Sequence, residues 1–587
     1  QAEDGIRDRS PSRGLGDVYK RQIIYELFYL LNFSELRNFK AMPDGVSSNQ
    51  KKTNNGKAIK LDALIIGAGF SGLYQLLSLR DKVGLSVKVV EAGDGVGGTW
   101  YWNRYPGARC DIPSLQYSYQ FDEELQQDWN WSEKYSAQPE ILEYLNHVAD
   151  RFDLRKDIEF NTEVISATFN VERSLWEIKT SKGDVEAKFC VMATGCLSAP
   201  NTPDFEGLNS YKGQLLHTGK WPQTQVDFTD ETVAIIGTGS SSIQSIPVIA
   251  EQAKHLYVFQ RTANYSIPSN NGPMDPEEES LVKSRYPEFR KENWENGFGI
   301  AGLEVEALAT EASDEERLEK FNHHWEKEGL GFLGAYADLM LDREANELAA
   351  SFARSKVKEI VNDPEVAELL SPKFTIGCKR LCVDTGYFEA FNQDNVTLVD
   401  LNTNPIDKIT VGGLIAGQEE YQVDSLILAT GFDAMTGAMT RIDIKGRKGI
   451  SLKEQWKDGA KSYLGLGISN FPNLFTVTGP GSPSVLSNMV PSLELHVEWI
   501  SQCIEWMRDN DKKVIESTQA VEDEWMLFVN EVADQTVYKS CNSWYNGSNI
   551  DEKAKEFLPF IGVPPYTEKI TEVAEQNYQG FVFDKTN

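Results

Sequence analysis

Short apolar runs that end in glycine-rich turns recur along the chain and set the expected fold. From Leu61 the sequence LDALIIGAGFSGLYQLLSL gives an apolar run, a turn and a helix-period stretch, and a second apolar run, SVKVVEAG, follows. This order predicts strand, turn, helix, strand. It repeats from Glu231, where ETVAIIGTGSSSIQSIPVIA leads to HLYVFQRTANYSIP. Two more apolar runs, VMATG at 191–195 and LILATG at 426–431, lie well downstream of the two units and predict the strands that close them. Between Pro268 and Pro372 the pattern turns charged and helical, as in SDEERLEKFNHHWEKEG, which predicts a helical insertion in the second unit.

Glycine placement says what the turns are for. Gly67, Gly69 and Gly72 form G-x-G-x-x-G around Phe70 and Ser71 at the end of the first strand, and Glu91 closes the second strand. Gly67 permits the tight turn, Gly69 lets the backbone approach a pyrophosphate, Gly72 lets helix and strand pack closely, and Glu91 accepts hydrogen bonds from a ribose diol. In the later unit Gly237 and Gly239 hold the first two positions and Ser242 the third, within a run that takes in Thr238, Ser240, Ser241 and Gln244. Serine there is expected to loosen helix-to-strand packing slightly. The strand after it ends in Gln260, Arg261 and Thr262 with no carboxylate, so Arg261 is expected to pair with a 2′-phosphate and the site to take NADP, not NAD.

Two units with different strand ends imply two dinucleotides in one chain, FAD in the first and NADPH in the second, with hydride passing from nicotinamide to flavin. The expected fold class is therefore α/β, with two Rossmann-like dinucleotide-binding domains (FAD and NADP) and a helical insertion in the NADP domain. The expected division is an artefact and leader at 1–60, FAD domain at 61–205, a linker at 206–230, NADP domain at 231–272, the insertion at 273–370, NADP domain again at 371–432, and FAD domain with the C-terminal segment at 433–587.

Composition narrows the class. A formal charge of -30 leaves no basic surface for a nucleic-acid partner. Seven cysteines without a paired framework suit a reducing compartment, so free thiols and a cytoplasmic location are expected. Cys378 and Cys382 lack the C-x-x-C spacing and are expected to be ordinary thiols. His323 and His324 are adjacent and fall on different helix faces, and no metal is expected. The opening stretches QAEDGIRD and DVYKRQ back-translate into sequencing-adapter and transposon-end oligonucleotides, so residues 1–22 are expected to be an artefact. The apolar IIYELFYLLNF that follows is short and interrupted by Glu26, and no membrane association is expected. Met42 is the expected natural start, with a disordered leader up to Lys60.

Two stretches remain. YKGQLLHTGKWP, residues 211–222, resembles the signature F-x-G-x-x-x-H-x-x-x-W-P of type I Baeyer-Villiger monooxygenases, with Tyr211 in place of the usual Phe. GGTWYWNRYPGARCD, from Gly97 to Asp111, resembles the same family's [AG]-G-x-W-x-x-x-x-[FY]-P-[GM]-x-x-x-D at every fixed position. The resemblance runs from about Leu61 to Phe583 and includes CKRLCVDTGYFEAFNQDNV, GPGSPSVLSNMVPSLELHVEW and SWYNGSN.

The resemblance implies an enzyme that uses FAD, NADPH and dioxygen to insert one oxygen beside a ketone carbonyl, through a flavin C4a-peroxide, giving an ester or lactone. It makes Arg380 the catalytic cation and Asp111 the carboxylate that orients it. It gives Lys379 and Arg261 the 2′-phosphate, the stretch Thr238 to Gln244 the pyrophosphate, and Trp544 a place near the nicotinamide ribose. Gly98, Thr99, Trp100, Arg109, Cys110, Asp111, Tyr117, Val164 and Met489 match flavin contacts. It makes His217 a hydrogen-bonding spacer between domains, stiffened by Trp221 and Pro222, and not a base. A monomer or weak homo-oligomer is expected. A sulfur- or nitrogen-oxygenating flavoenzyme and a non-catalytic redox sensor are the alternatives.

Overall fold

The computed structural model describes residues 58–302, 305–327 and 329–583. The adapter-like stretch, Met42 and the leader through residue 57 lie outside the described residues.

Ile59–Ile66 is the central strand of the first sheet, parallel to Val87–Val90 on one side and to Gly183–Met192 on the other. The strand starts ahead of the expected Leu61 because the longer Gly183–Met192 offers Val185 and Glu186 as partners to Ile59 and Lys60. Ala63, Leu64 and Ile65 are fully buried, as an apolar run without alternation requires when both faces are covered. The outer edge of Gly183–Met192 is divided. Its first half pairs antiparallel with Leu175–Thr180, and its last residues run parallel to Leu474–Thr476. The C-terminal part of the chain thus returns to complete the sheet that the N-terminal part began.

The second sheet is wholly parallel, in the order Val396–Asp400, His255–Gln260, Thr232–Ile236, Ser425–Leu428, Gln214–His217. Its edge strand Gln214–His217 comes from the segment expected to be only a linker. Four residues, two of them exposed, are too short to show a period. A three-stranded antiparallel sheet, Ile406–Ile409, Gly413–Ala416 and Glu419–Gln422, stands beside it.

The charged region expected as one insertion divides between two cores. Pro276–Ser284 and Tyr286–Glu295 place Val282 and Phe289 against the core of the first sheet, whereas Asp314–Lys327 and Arg343–Ile360 enclose Phe321, Trp325 and Phe352 with Tyr265 and Ile267. Two chain crossings connect the sheets and run side by side. Asn201 N donates to Gly431 O at 2.9 Å, and Pro200 bridges Phe432 in antiparallel sense. Among the described residues no helix is long and apolar enough to cross a membrane.

The helix Met489–Asp509 packs on Phe70–Leu77 and carries a buried acid. Glu494, 3% exposed, accepts from the backbone N–H groups of Gln120 at 2.7 Å and Phe121 at 3.2 Å. Burial, helped by the charge of Glu498, pushes its carboxyl up to about 8 against the pull of those N–H groups and of buried Arg290. Folded protein therefore keeps this proton up to about pH 8 while the unfolded chain releases it near 4.5. The associated stability is greatest below about pH 4.5 and falls as pH rises towards 8. Glu494→Gln keeps an acceptor for both N–H groups, so it is expected to raise the thermal midpoint by several degrees at pH 8 and to leave it nearly unchanged at pH 5. Paired melting curves at the two pH values check this, and an equal shift at both would refute it.

Candidate active site

The first glycine turn is closed by contacts that no side chain would permit. Gly67 has φ +106°, and a Cβ there would lie 2.5 Å from Ala193 O; one on Gly72 would lie 1.8 Å from Gly67 O. Gly98 (φ +53°) rests on Gly69, since its added Cβ would sit 2.9 Å from Gly69 Cα. The second signature stretch is thereby laid against the first fingerprint. The helix Phe70–Leu77 begins without a side-chain cap, leaving its first N–H groups, with that of Ser71, for an anion. Phe70 packs edge-on to Tyr117 at 5.3 Å, and Trp100, next to exposed Thr99, donates its indole N–H to Tyr117 Oη at 3.2 Å. Glu91 is buried and braces the turn, accepting from Ala68 N and Gly93 N, each at 2.8 Å. Burial pushes its carboxyl up, against those N–H groups.

The second turn repeats the geometry with one change. A Cβ on Gly237 (φ +115°) would meet Ala429 O at 2.4 Å, but one on Gly239 would meet nothing within 4 Å, so the backbone there faces open space. Ser242 stands where the first turn has Gly72. It is fully buried and its Oγ donates to Gly239 O at 2.9 Å, which ties the helix start to the turn. Thr238 Oγ1 donates to Thr262 O at 2.7 Å, and Ser240 is exposed beside Cys382, with Oγ to Sγ 3.2 Å. Ser241 Oγ donates to Thr218 Oγ1 at 3.2 Å. Arg261 is exposed at the strand end, and Lys379 lies near it: burial and the charge of Arg261 push the Lys379 ammonium down. Lys379 Nζ also stands 4.6 Å over the Phe374 ring.

Between the two turns Arg380 meets Asp111, 269 residues away. Nε donates to Oδ2 at 3.0 Å and Nη2 to Oδ1 at 2.8 Å, a fork-on-carboxylate pair, while Nη1 donates to Val485 O at 2.8 Å. Burial disfavours the guanidinium charge, but the Asp111 carboxylate outweighs it and holds Arg380 above its ordinary range. Beside the pair, Cys110 is buried and its thiol pushed up by burial and by Asp111. Arg380 and Lys379 line a cleft whose other walls are mostly apolar, with Ile112, Phe298, Ile300, Leu330, Leu333 and Leu486, and whose lining also takes in Tyr538 and Tyr545.

Other expected site residues are placed as follows in this structure. Gln244 grips the first domain: Oε1 accepts from Tyr105 Oη at 2.9 Å and Nε2 donates to Arg109 O at 3.1 Å. The Arg109 guanidinium is taken by Glu133 and Tyr135 O. Val164 opens the strand Val164–Asn170, and Met489 opens its helix; both are half-buried against the first core. Trp544 is half-buried, in a short helix whose first turn Ser543 caps. Its neighbour Tyr545 is the residue that sequence reasoning missed. It is 2% exposed and faces Arg380; burial pushes its phenol up to about 12, partly offset by Arg380. Only its place next to a recognised Trp could have flagged it.

Cys378, expected to be an ordinary thiol, instead forms a disulfide with Cys541, 163 residues on; Cys110, Cys190, Cys196, Cys382 and Cys503 are free and buried. Sequence gave no sign, since the partners meet only once the C-terminal segment folds back over the cleft. His217 ends the edge strand Gln214–His217. Its Nδ1 accepts from Gly219 N at 3.0 Å, so Nε2 carries the proton and donates to Asn201 O at 3.2 Å, and burial pushes the ring's basicity down. Trp221 N donates to Trp102 O at 3.3 Å, joining one signature to the other.

Comparison with known proteins agrees with this geometry. The family described as pyridine nucleotide-disulphide oxidoreductase matches residues 64–280. A Baeyer-Villiger monooxygenase of Pseudooceanicola batsensis is 40% identical over 91% of this chain and 99% of its own length. Among solved structures, an oxidized steroid monooxygenase bound to NADP is 48% identical, with TM-score 0.85 over 89% of this chain and 99% of that one. A complex of OTEMO with FAD and NADP is 38% identical, with TM-score 0.86 over 90% of this chain and 100% of that one. With two glycine turns, a forked Arg–Asp pair between them and relatives that match almost end to end, the chain belongs to the Baeyer-Villiger monooxygenase family.

Proposed function

We propose that this protein is an FAD-containing, NADPH-dependent monooxygenase that uses dioxygen to convert an apolar ketone into an ester or lactone in the cleft around Arg380. The observation that carries the reading is the Asp111–Arg380 pair inside a mostly apolar cleft. The residues present fit both cofactors. Open space over Gly239 and the neighbouring cations Arg261 and Lys379 suit the phosphates of NADPH, and Gly69, Glu91 and an uncapped helix start suit FAD. Bound FAD, reduced by NADPH, supplies the activated oxygen.

The chain's own work is positional and electrostatic. Ketone oxygenation passes through negatively charged oxygens, and each is stabilised by donors already in place. Arg380 meets that need because its charge cannot be discharged, and because Asp111 and Val485 O fix its plane. Apolar walls exclude the water that would divert oxygen to hydrogen peroxide. Roles for Thr238, Ser240, Trp544, Val164 and Met489 as cofactor contacts belong to the same reading, as do a cytoplasmic location and a monomer or weak homo-oligomer. Oxygenation of sulfur or nitrogen is the alternative outcome of a product analysis with mixed substrates.

Arg380→Ala is expected to leave a folded yellow protein that still oxidises NADPH, releases hydrogen peroxide and forms ester about 100- to 1000-fold more slowly. Arg380→Lys restores little, because an ammonium lacks the fork. Product analysis with oxygen-consumption and peroxide assays tests this, and a normal ester yield from Arg380→Ala would overturn the assignment. For cofactor choice, Arg261→Ala removes a charge-assisted contact of roughly 1.5–3 kcal/mol, so KM for NADPH should rise about 10- to 100-fold while that for NADH barely moves. Equal losses with both cofactors would mean that Arg261 supports the fold instead.

A further inference from the structure

The Cys378–Cys541 disulfide has each end set within the lining of the cleft. Gly377, Lys379 and Arg380 surround Cys378 on one wall, and Tyr538 and Tyr545 bracket Cys541 on the other. The two walls come from distant parts of the chain. Apart from the Tyr545–Arg380 contact, the polar ties of the segment around Cys541 run elsewhere: Val537 N to Met340 O at 2.9 Å, Asn549 Nδ2 to Phe432 O at 2.7 Å and Lys553 Nζ to Asp433 at 2.6 Å. The disulfide adds a covalent fastening to the Tyr545–Arg380 contact between the walls.

Its two sulfurs are unequally placed for exchange. Cys378 is fully buried, whereas Cys541 is partly exposed. An incoming thiolate reaches Cys541 Sγ and forms a new S–S bond as the old one breaks. The electron pair leaves on Cys378 Sγ, which is then protonated. A second thiol of the same reductant then displaces Cys541. The sum is two protein thiols and one oxidised dithiol, with two electrons and two protons transferred. The free cysteines are all buried, so reagents meet this pair first.

We propose that Cys378 and Cys541 are a redox-modification site, reversibly reduced by dithiols, that latches the two cleft walls and sets how much NADPH consumption ends in product instead of peroxide; this rests on the cleft being the oxygenation site. Latched, the Tyr545 wall stays on Arg380 and keeps water out. Unlatched, hydride transfer needs only its own alignment and continues, but oxygen transfer loses its dry enclosure.

The test uses the full-chain, FAD-loaded enzyme. Alkylation by iodoacetamide under denaturing conditions, read by intact mass, should label the five free cysteines of diamide-treated protein and all seven after dithiothreitol. After desalting, peroxide released per ester formed should rise about fivefold in the reduced form, the factor that ~1 kcal/mol carries. Cys541→Ser, at the more exposed end, should show the same rise without reductant and no further response to it. Seven labelled cysteines after diamide, or one ratio for both redox forms, would overturn the latch. Arg380→Ala run alongside separates the two ideas: if its ratio moves while reduction leaves the wild-type ratio unchanged, the latch is wrong and the catalytic cleft stands. If neither moves the ratio while labelling still changes from five to seven, the catalytic reading fails and with it the latch.

Discussion

The Asp111–Arg380 fork crosses from the first domain to the second, and most of what surrounds it serves to bring those two residues to one point. Asp111 sits at the end of a signature stretch whose Gly98 is pressed on Gly69, so its position is inherited from the first fingerprint. Arg380 sits just before Cys382–Asp384, which pairs with Ser266–Pro268 and so inherits its position from the second. A partly buried guanidinium without its carboxylate costs several kcal/mol, so the two domains are held in register by the demand that this charge be met. The same bond that aims the Arg380 guanidinium also reports whether the domains are docked.

Docking is reinforced by uncharged contacts from the second glycine turn's helix. Gln244 spends both ends of its amide on Tyr105 and the Arg109 backbone, and Gly107 lies so close to Gln244 that a Cβ there would be 2.2 Å from its carbonyl oxygen. What the second turn leaves open is the side of Gly239 that faces free space, and Arg261, at the end of the following strand, lies near Lys379. A helix start can serve a ligand on one face and a neighbouring domain on another.

How much of this was legible in the sequence depends on how local the cause was. The strand, glycine turn and helix of each unit follow from period and from φ values that only glycine takes easily, and Gly67, Gly72 and Gly237 occupy the predicted positions for the predicted reasons. The edge strand Gln214–His217, the antiparallel Ile406–Gln422 sheet and the division of the charged helices between two cores were not legible, because short elements owe their state to neighbours far along the chain. Arg380 and Asp111 were found through resemblance, and no spacing argument links residues 269 apart. Tyr545 and the Cys378–Cys541 bond escaped for the same reason: both exist only where the C-terminal segment comes back over the cleft.

The paired crossings have a mechanical meaning. Two separate connectors would let the nucleotide domain twist and slide as well as swing. Here Asn201 N–H on Gly431 O, Thr430 Oγ1–H on Asn201 O at 2.5 Å and the Pro200–Phe432 bridge weld the connectors into one narrow ribbon, with His217 pinning its side. A ribbon of two hydrogen-bonded strands resists torsion and in-plane shear far more than bending normal to its plane. Bending is thus the deformation that these two connectors oppose least, while the torsion and slide of one sheet against the other are what the ribbon withstands.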